Sequence, residues 1–431
     1  MDVDARWRSV IAERAGGAVF DAPGGGYAFS NVLAEERELS KANRPGDPGS
    51  ALLTLSIADP IWKMRPEAMD AARRYYDNSP DATRYTDNAG VREGAGFQDT
   101  HEAIAAYLNK RRPDSPVQLN ADWVQYSPGS IKRCLAEYLP SVLFDENSTL
   151  IFPVPGYPVI KSALNKRGAD AIDAPMTYED GKWRLNTQMY LPTGRKLFMY
   201  VNIPHTPTGT GYTADDWARL LEWADENDAL LIVDEAYIDI AYKPDIASVL
   251  TVPGWERRCV VLQSVSKAWN ATGLRFGWIA AHPTFIKAVR KATDVKDSGM
   301  FGPSIAAGLE CLSRPDWADE TRGAYAELHE RLYEALVGAG FKSAMPDAGL
   351  CQFTPGPTAA NGRQFESAID CVQWFRQELR ISLMHYTVDE RIWLRWAATI
   401  RPLPECGLPT EASVVEEAAR RLRTVEFAFE A

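Results

Sequence analysis

Two hydrophobic patterns alternate along the chain between about residues 50 and 300. Short apolar runs of strand length appear at STLIFPV, RKLFMYVNI, ALLIVDEAYI, CVVLQSV and FGWIAA. Between them lie segments with the apolar spacing of amphipathic helices, such as TADDWARLLEWADEND. Continuous apolar runs that alternate with helices indicate parallel strands, buried on both faces and joined by crossover helices. We therefore predict an α/β fold with a doubly wound central domain, in which a mainly parallel sheet lies between helices.

The two ends of the chain have different patterns. Residues 1–50 are rich in Gly and Pro around a helix-like segment, FSNVLAEERELSKAN, and they predict an N-terminal arm. After SRPDWADE comes a long helical stretch, ETRGAYAELHERLYEALVGAG, which Gly closes before a strand-like LCQFT. We expect a large domain over residues 76–315 and a smaller α+β domain over residues 316–431, which residues 51–75 join.

Composition and charge exclude several classes of protein. Hydrophobic residues make up 45% and charged residues 24% of the 431 positions, as in soluble globular proteins. Apolar runs stay well short of the roughly 18 residues that a membrane-spanning helix needs, and the first residues lack an export signal, so we expect a cytoplasmic protein. A net charge of −11 disfavours binding to nucleic acid or to an anionic membrane. The six cysteines are scattered without metal-binding spacing, so we expect buried, reduced thiols and no metal site.

The clearest chemical signal is the segment QSVSKAWNATGLRFGW, residues 263–278. A Lys at the end of an apolar strand is partly desolvated, which lowers its pKa and favours the neutral amine that forms a Schiff base. Nearby Ser264, Ser266 and Arg275 could bind a phosphate dianion. The segment resembles the cofactor-lysine signature SxSKxxxxxGxRxG of class I and II aminotransferases, which are fold-type I pyridoxal-phosphate enzymes. The resemblance implies that Lys267 holds pyridoxal 5'-phosphate (PLP) as a Schiff base and that Arg275 binds its phosphate.

A second motif, LLIVDEAYIDI, places Asp234 at a strand end and Tyr237 three residues later. Such a carboxylate could pair with a protonated pyridine nitrogen, and such a phenol could hydrogen-bond the ring oxygen. An isolated Asp here would more simply cap a helix. The family has its pyridine-binding Asp and its Tyr in this arrangement, so the resemblance implies that Asp234 and Tyr237 are catalytic residues that also bind the cofactor.

A third motif, VNIPHTPTG over residues 201–209, resembles the NPxNPTG loop of the family. The resemblance assigns Asn202 to the substrate side of the site. Thr206 stands where the family usually has the Asn that contacts the ring oxygen. Its hydroxyl can still donate a hydrogen bond, but it is shorter and changes the surroundings of that oxygen.

Two segments upstream complete the expected cofactor site. In YSPGSIKRCLAEYL a Gly turn leads into a helix, where backbone N–H groups can bind phosphate. Gly129, Ser130 and Ile131 fall where the family has its phosphate loop. In FPVPGYPVI, Tyr157 matches the aromatic residue that stacks on the pyridine ring, although a core Tyr beside Pro is an alternative.

The segment RYTDNAG indicates a homodimer with shared active sites. Tyr85 precedes Gly90 as in the YxxxxG segment of the family, whose Tyr reaches the phosphate of the neighbouring subunit's cofactor. The inserted stretch VREGAGFQD, over residues 91–99, departs from the family pattern and should reshape the substrate pocket.

Two positions are expected to bind substrate. Arg395 in IWLRWAAT matches the family Arg that binds the substrate α-carboxylate bidentately, although an Arg at a strand edge is an alternative. Ala58 stands in ADP where Gly is common. The arm segment YAFSNVLAEER also bears a weak likeness to the LL-diaminopimelate aminotransferase branch.

The resemblance implies an aminotransferase that acts on the α-amino group of an amino acid, with a 2-oxo acid as co-substrate. Relatives on this fold also catalyse elimination, γ-replacement or carbon–carbon bond formation, some with S-adenosylmethionine, and Thr206 and the 91–99 insertion keep this alternative open. A relative that only binds the cofactor as a ligand is a third interpretation.

Overall fold

A computed structural model describes residues 28–78, 86, 100–164, 167–179 and 181–430. Within these residues the α-helices are α1 (Ala28–Ser40), α2 (Pro66–Asn78), α3 (Thr100–Arg111), α4 (Ser130–Arg133), α5 (Leu139–Leu143), α6 (Val159–Leu164), α7 (Ala214–Glu226), α8 (Trp255–Arg258), α9 (Pro283–Asp294), α10 (Gly302–Ser313), α11 (Pro315–Val337), α12 (Ala368–Glu378) and α13 (Glu411–Leu422). The strands are β1 (Leu53–Thr54), β2 (Val124–Pro128), β3 (Ser148–Val154), β4 (Asp170–Pro175), β5 (Thr177–Glu179), β6 (Lys182–Arg184), β7 (Lys196–Asn202), β8 (Ala229–Asp234), β9 (Cys259–Ser264), β10 (Phe276–Ala280), β11 (Cys351–Pro355), β12 (Ala359–Ala360), β13 (Arg363–Gln364), β14 (Ile381–Ser382), β15 (Met384–Val388), β16 (Arg391–Ala397) and β17 (Phe427–Ala428).

A seven-stranded sheet forms the centre of the fold, in the order β2-β10-β9-β8-β7-β3-β4. The pairs from β9 to β4 are parallel, whereas β10 is antiparallel to both of its neighbours. All five apolar runs of the sequence are strands of this sheet, so the prediction of a mainly parallel sheet between helices is confirmed. Because β10 runs in the opposite direction, its first residues lie next to the carboxyl ends of β9 and β2.

Both faces of the sheet are buried, and the side chains of β7 show why its sequence reads as a continuous apolar run. Met199 and Val201 belong to the core on one face, and Phe198 and Tyr200 belong to the core on the other. Successive side chains of a strand point to opposite faces, so a strand covered by helices on both sides needs apolar residues at nearly every position.

The predicted helix TADDWARLLEWADEND is α7, and its first turn is fixed by a capping box. The Thr213 hydroxyl accepts a hydrogen bond from the Asp216 amide, and the Asp216 carboxylate accepts one from the Thr213 amide. Each bond satisfies an amide that the start of a helix leaves without a backbone partner.

The C-terminal third contains a three-stranded antiparallel sheet, β11-β16-β15, which packs with α11 and α12, while α13 packs against α11. The strand-like LCQFT is β11, as predicted. The predicted start of the long helix at Glu320 was wrong, because α11 begins at Pro315. A Pro in the first turn costs no hydrogen bond, since its missing N–H would have no partner there.

The segment after the N-terminal helix is tied to the C-terminal third. Strand β1 pairs in parallel with β14, and the amide of Ala397 in β16 donates to the Leu55 carbonyl. Helix α1, which the sequence predicts, contacts the same region through an ion pair between Glu35 and Arg376.

All six cysteines are buried and none forms a disulfide, as expected. Within the described ranges, every helix is too short or too polar to cross a membrane.

Candidate active site

A cavity of about 480 Å³ opens at the carboxyl ends of the central strands, a volume typical of small-molecule sites. It lies where β7, β8 and β9 end, where β10 begins and where β2 leads into α4. The sequence-predicted residues that line it are Ala58, Ser130, Ile131, Tyr157, Asn202, Thr206, Asp234, Tyr237, Ser264, Ser266, Lys267, Arg275 and Arg395. Gly129 immediately precedes this lining. Tyr85 and the 91–99 insertion lie outside the described residues.

Lys267 follows β9 and extends into the cavity, where its Nζ donates a hydrogen bond of 2.8 Å to the Ala58 carbonyl. Burial lowers the pKa of the Lys267 amine, and the nearby guanidinium groups of Arg395 and Arg275 lower it further, against opposing contributions from Asp59 and Cys351. A lowered pKa increases the neutral fraction of the amine at a given pH. Lys267 therefore has the properties of a nucleophile and of a base.

Asp234 ends β8 with its side chain only 3% exposed. Its Oδ2 accepts a hydrogen bond of 2.8 Å from the Tyr200 hydroxyl, and its Oδ1 accepts one of 3.1 Å from the Ala236 amide. Burial raises the pKa of Asp234 to about 6, although both hydrogen bonds and the charge of Lys267 act to lower it. Burial makes ionisation of this carboxyl group unfavourable, so a cationic group in the cavity would stabilise its charged form.

Sequence reasoning missed Tyr200, which lies in the middle of an apolar run and reads as a core aromatic. Its ring does pack in the core, stacked on Phe152 at a centroid distance of 5.9 Å. Only its hydroxyl reaches Asp234 on the adjacent strand β8. Because a buried Tyr hydroxyl requires a hydrogen-bond partner, a Tyr within an apolar strand is itself a signal that a polar group lies nearby.

The loop after β7 and the turn after β8 meet above Asp234. Asn202 joins them, since its Nδ2 donates to the Asp234 carbonyl at 3.0 Å and its Oδ1 accepts from the Thr206 amide at 3.1 Å. Tyr237 is buried beside this loop. Burial raises the pKa of its phenol, an effect that the Thr206 side chain opposes by hydrogen bonding. The phenol is therefore a proton-bearing donor at neutral pH.

Hydroxyl groups and one guanidinium surround the turn between β2 and α4. Gly129 and Ser130 have positive φ angles of 84° and 61°, which turn the chain sharply into the helix. The Gly129 amide donates to the Arg275 carbonyl at 3.1 Å, and Arg275 Nη2 donates to the Gly129 carbonyl at 2.7 Å. The hydroxyls of Ser130 and Ser266 lie 3.3 Å apart, and the Ser264 hydroxyl accepts from the Ser266 amide. This group of donors could bind a phosphate.

Gly277 allows this close approach of three segments. A Cβ atom there would lie 2.9 Å from the Gln263 carbonyl oxygen and 3.0 Å from the Ser130 hydroxyl. A side chain at this position would therefore press against the phosphate-binding turn.

Arg395 lies on the opposite wall of the cavity, on strand β16 of the smaller sheet. Its side chain is 3% exposed, and its Nη2 donates to the Ser56 carbonyl. Ser56 also donates to Glu36 of helix α1. Leu33 of the same helix lines the cavity, as does Asp59. Sequence reasoning missed both residues: Leu33 lies in the arm segment YAFSNVLAEER, whose weak likeness to one branch of the family assigned no residue to the site.

The groups around the cavity fit PLP. A buried amine can hold the aldehyde carbon, a buried acid can face the ring nitrogen, and the donors around Ser130 can bind the phosphate. Tyr157 also borders the cavity, at the place where a ring could stack.

Comparison with known proteins identifies the family and the fold. The family model described as "Aminotransferase class I and II" matches residues 53–398. The chain is 28% identical over 435 residues to an LL-diaminopimelate aminotransferase of Methanocaldococcus jannaschii. The matched region covers 98% of this chain and 99% of that protein. Among solved structures, substrate-bound BacF from Bacillus subtilis superimposes with a TM-score of 0.77 at 21% identity, over 94% of this chain and 95% of BacF. A double mutant of Thermus thermophilus aspartate aminotransferase gives a TM-score of 0.76 at 17% identity, over 93% and 96% of the two chains.

Proposed function

The chain belongs to the class I and II aminotransferase family, whose enzymes depend on PLP, and from this membership we propose that the cavity around Lys267 transfers the α-amino group of an amino acid to a 2-oxo acid. The convergence of a partly buried lysine, a buried carboxylate and a buried arginine on one cavity carries this proposal. Each of the three has a distinct task in such a reaction.

When bound, PLP supplies a ring that withdraws electrons from the carbon that loses a proton. In the proposal Lys267 would hold the cofactor covalently and Asp234 would pair with its ring nitrogen. Its phosphate would be bound by Ser130, Ser264 and Ser266 together with the Gly129 turn, Arg275 and the amide of Ile131, and Tyr157 would contact its ring.

While its amine is not bonded to the cofactor, Lys267 would also act as the general base in this proposal. The amine lies among groups that lower its pKa, so it could accept the proton from the substrate α-carbon and deliver it to a different carbon atom. Tyr237 and Thr206 donate hydrogen bonds at the ring oxygen. The paired hydrogen bonds of Asn202 keep the Thr206 loop at a fixed position above Asp234.

Arg395 would bind the substrate α-carboxylate. A guanidinium group can donate two parallel hydrogen bonds to a carboxylate, which fixes the direction of the Cα–H bond as well as the affinity. Ala58 and Leu33 border the remaining space, where the substrate side chain would lie.

We place LL-diaminopimelate first among candidate substrates, because the similar Methanocaldococcus jannaschii protein of nearly the same extent carries that name. Two charged residues on the cavity wall, Asp59 and Lys132, could contact a substrate with a second ammonium and a second carboxylate.

We also propose a homodimer. Met69 and Tyr76 lie seven residues apart on helix α2 and are both exposed, so they share one helix face. The ring of Tyr76 contacts Phe301, which is 64% exposed. An exposed aromatic pair of this kind is typical of a protein interface. Light scattering of wild type and Phe301→Glu tests this, and a monomeric wild type would contradict it.

The function is tested by spectroscopy on the PLP-loaded protein. Single amino acids, including LL-diaminopimelate, aspartate and S-adenosylmethionine, are added while the cofactor absorbance and the release of 2-oxo acid are followed. We expect one of them to convert the cofactor and to release an equivalent 2-oxo acid. Lys267→Ala should abolish both signals, and Lys196→Ala, at the amino end of β7, should preserve them.

Two results would contradict transamination. Release of a thioether from S-adenosylmethionine without a 2-oxo acid would indicate elimination or replacement chemistry. A cofactor spectrum that no amino acid changes would indicate a protein that only binds PLP.

A further inference from the structure

A buried ionic cluster is centred on Asp239, two residues after Tyr237. The proposed reaction assigns no role to this cluster. Asp239 is 7% exposed. It accepts hydrogen bonds from the Tyr107 hydroxyl at 2.9 Å, from Arg111 Nε at 3.1 Å and from Arg112 Nη2 at 3.1 Å. Burial acts to raise the pKa of Asp239, but Arg112 and Arg111 lower it below its ordinary value, so the carboxylate is ionised.

The cluster adds little to the net stability of this part of the core. Buried ion pairs often stabilise a fold less than apolar residues of the same volume would, because the charges lose their hydration. Their directional hydrogen bonds instead favour one arrangement of the groups that they join. The cluster therefore restricts the positions of the groups that it joins.

A short hydrogen-bonded stretch of backbone connects Asp239 to Tyr237. Both belong to a single 3-10 turn, in which the Ile238 amide donates to the Glu235 carbonyl at 3.2 Å and the Ile240 amide donates to the Tyr237 carbonyl at 2.9 Å. A shift of the Asp239 carboxylate therefore moves the backbone from which the Tyr237 phenol extends.

Tyr107 connects the same cluster to the lysine turn. Its ring lies edge-on to Trp269 at a centroid distance of 5.8 Å, and Trp269 follows Lys267 by two residues. Arg111 continues the connection to helix α11, where it binds Asp319 through two hydrogen bonds of 2.6 and 3.3 Å. One end of helix α3 thus contacts the turns that carry Tyr237 and Lys267.

We propose that Asp239, held by Tyr107, Arg111 and Arg112, is a positioning residue that fixes the Tyr237 phenol against the cofactor's ring oxygen. This inference rests on the proposed function of the cavity for the role of Tyr237. It concerns the placement of the phenol and assigns Asp239 no contact with substrate.

The first measurement uses the protein without cofactor. Hydrogen exchange is followed in the peptides over residues 235–242 and 263–270, in wild type, Asp239→Asn, Tyr107→Phe and Glu417→Gln. Glu417 is the matched control, because it is a buried acid held by Arg420 and Arg421 on α13. We expect Asp239→Asn to accelerate exchange over residues 235–242 at least about threefold, since its turn loses its charged anchors. Glu417→Gln should leave this peptide unchanged.

Tyr107→Phe gives an independent check should Asp239→Asn fold poorly. It removes the hydrogen bond to Asp239 but keeps the ring against Trp269. Exchange should therefore rise over residues 235–242 and stay at the wild-type rate over residues 263–270.

The second measurement is the pH midpoint of the visible absorbance change of the PLP-loaded protein. In the loaded protein the ring oxygen would accept hydrogen bonds from both the Tyr237 phenol and the protonated Lys267 nitrogen, so displacement of the phenol would leave the proton on Lys267 held more tightly. Tyr237→Phe should raise the midpoint by about one to two pH units. Asp239→Asn should raise it by at least about 0.3 unit, and Glu417→Gln should not move it.

The outcomes separate this inference from the proposed function. If wild type takes up no PLP, the proposed function fails, while the exchange data still test the link between Asp239 and the Tyr237 turn. If wild type takes up PLP and Asp239→Asn matches Glu417→Gln in both measurements, the positioning role is overturned.

Discussion

Ionisation of Asp234 should make the cofactor-free protein less stable as the pH rises. Burial raises the pKa of this carboxyl group from 3.8 to about 6. The unfolded chain then loses its proton at lower pH than the folded protein does. The resulting penalty is absent below about pH 4, grows between about pH 4 and pH 6, and stays constant above that range. The two pKa values differ by about two units, so at about 1.4 kcal/mol per unit the folded protein loses about 3 kcal/mol.

Asp234→Asn removes this penalty while the local hydrogen bonds can persist. The Asn carbonyl oxygen can accept from the Ala236 amide, and the Asn amide can donate to the Tyr200 hydroxyl oxygen. We expect the cofactor-free variant to be more stable than wild type by up to about 3 kcal/mol above pH 6 and equally stable near pH 4. The same variant should be nearly inactive, since a neutral amide cannot keep the ring nitrogen protonated.

Urea unfolding of both cofactor-free proteins between about pH 4 and pH 8, at one chain concentration, measures this difference in the free energy of unfolding. Asp216→Asn supplies a control of opposite sign. Burial acts to raise the pKa of Asp216, but hydrogen bonds from Thr213 and Lys182 outweigh it and lower this pKa to about 2. The carboxylate therefore stabilises the fold by a constant amount above about pH 4, and Asp216→Asn should be less stable than wild type by the same amount across the titration. A constant offset between wild type and Asp234→Asn across the whole pH range would refute the reasoning.

Three further predictions concern the walls of the cavity. Gly277→Ala places a Cβ atom 3.0 Å from the Ser130 hydroxyl and should weaken PLP binding about tenfold, as measured by fluorescence titration; unchanged affinity would show that the turn adjusts freely. Arg395→Lys should raise KM for the amino acid about 100-fold and leave the spectrum of bound PLP unchanged, because an ammonium cannot form the two parallel hydrogen bonds of a guanidinium; an altered spectrum before substrate addition would instead place Arg395 at the cofactor. Tyr200→Phe removes a hydrogen-bond donor from Asp234 and should raise the pKa of that carboxyl group by about one further unit, so the stability loss in the urea titration should still begin near pH 4 but extend about one pH unit higher; an unchanged upper limit would show that the hydroxyl contributes little.

The sequence predicted the parts of the fold in which a local pattern determines the structure. Strand β8, ALLIVD, is uniformly apolar because it lies in the middle of a parallel sheet with both faces covered. The motifs that contain Asn202, Asp234 and Lys267 lie at the carboxyl ends of such strands. The carboxyl ends of parallel neighbours meet at one sheet edge, so Asn202 at the end of β7 and Asp234 at the end of β8 converge once the strands are known.

The sequence did not predict contacts between positions far apart along the chain. Tyr107 and Asp239 are 132 residues apart, and neither belongs to a motif with the other. The side-chain pattern of α3 shows only that one face is apolar. It does not show that a hydroxyl and two guanidinium groups at its end meet a carboxylate after β8. The same holds for Leu33, whose place on the cavity wall depends on how α1 packs against the smaller sheet.

The cavity draws its lining from almost the whole length of the polypeptide, from Leu33 and Ala58 near one end to Arg395 near the other. On the ribosome, a nascent chain that has emerged only as far as β10 can already contain Lys267 and Asp234, yet it lacks Arg395. Closing such distant segments is slow and costs chain entropy. The wall that binds the substrate carboxylate should therefore form after the cofactor-binding residues, which all lie at or before Arg275. A translation product that stops before β16 should contain those cofactor-binding residues, yet it should lack the guanidinium group that orients the substrate.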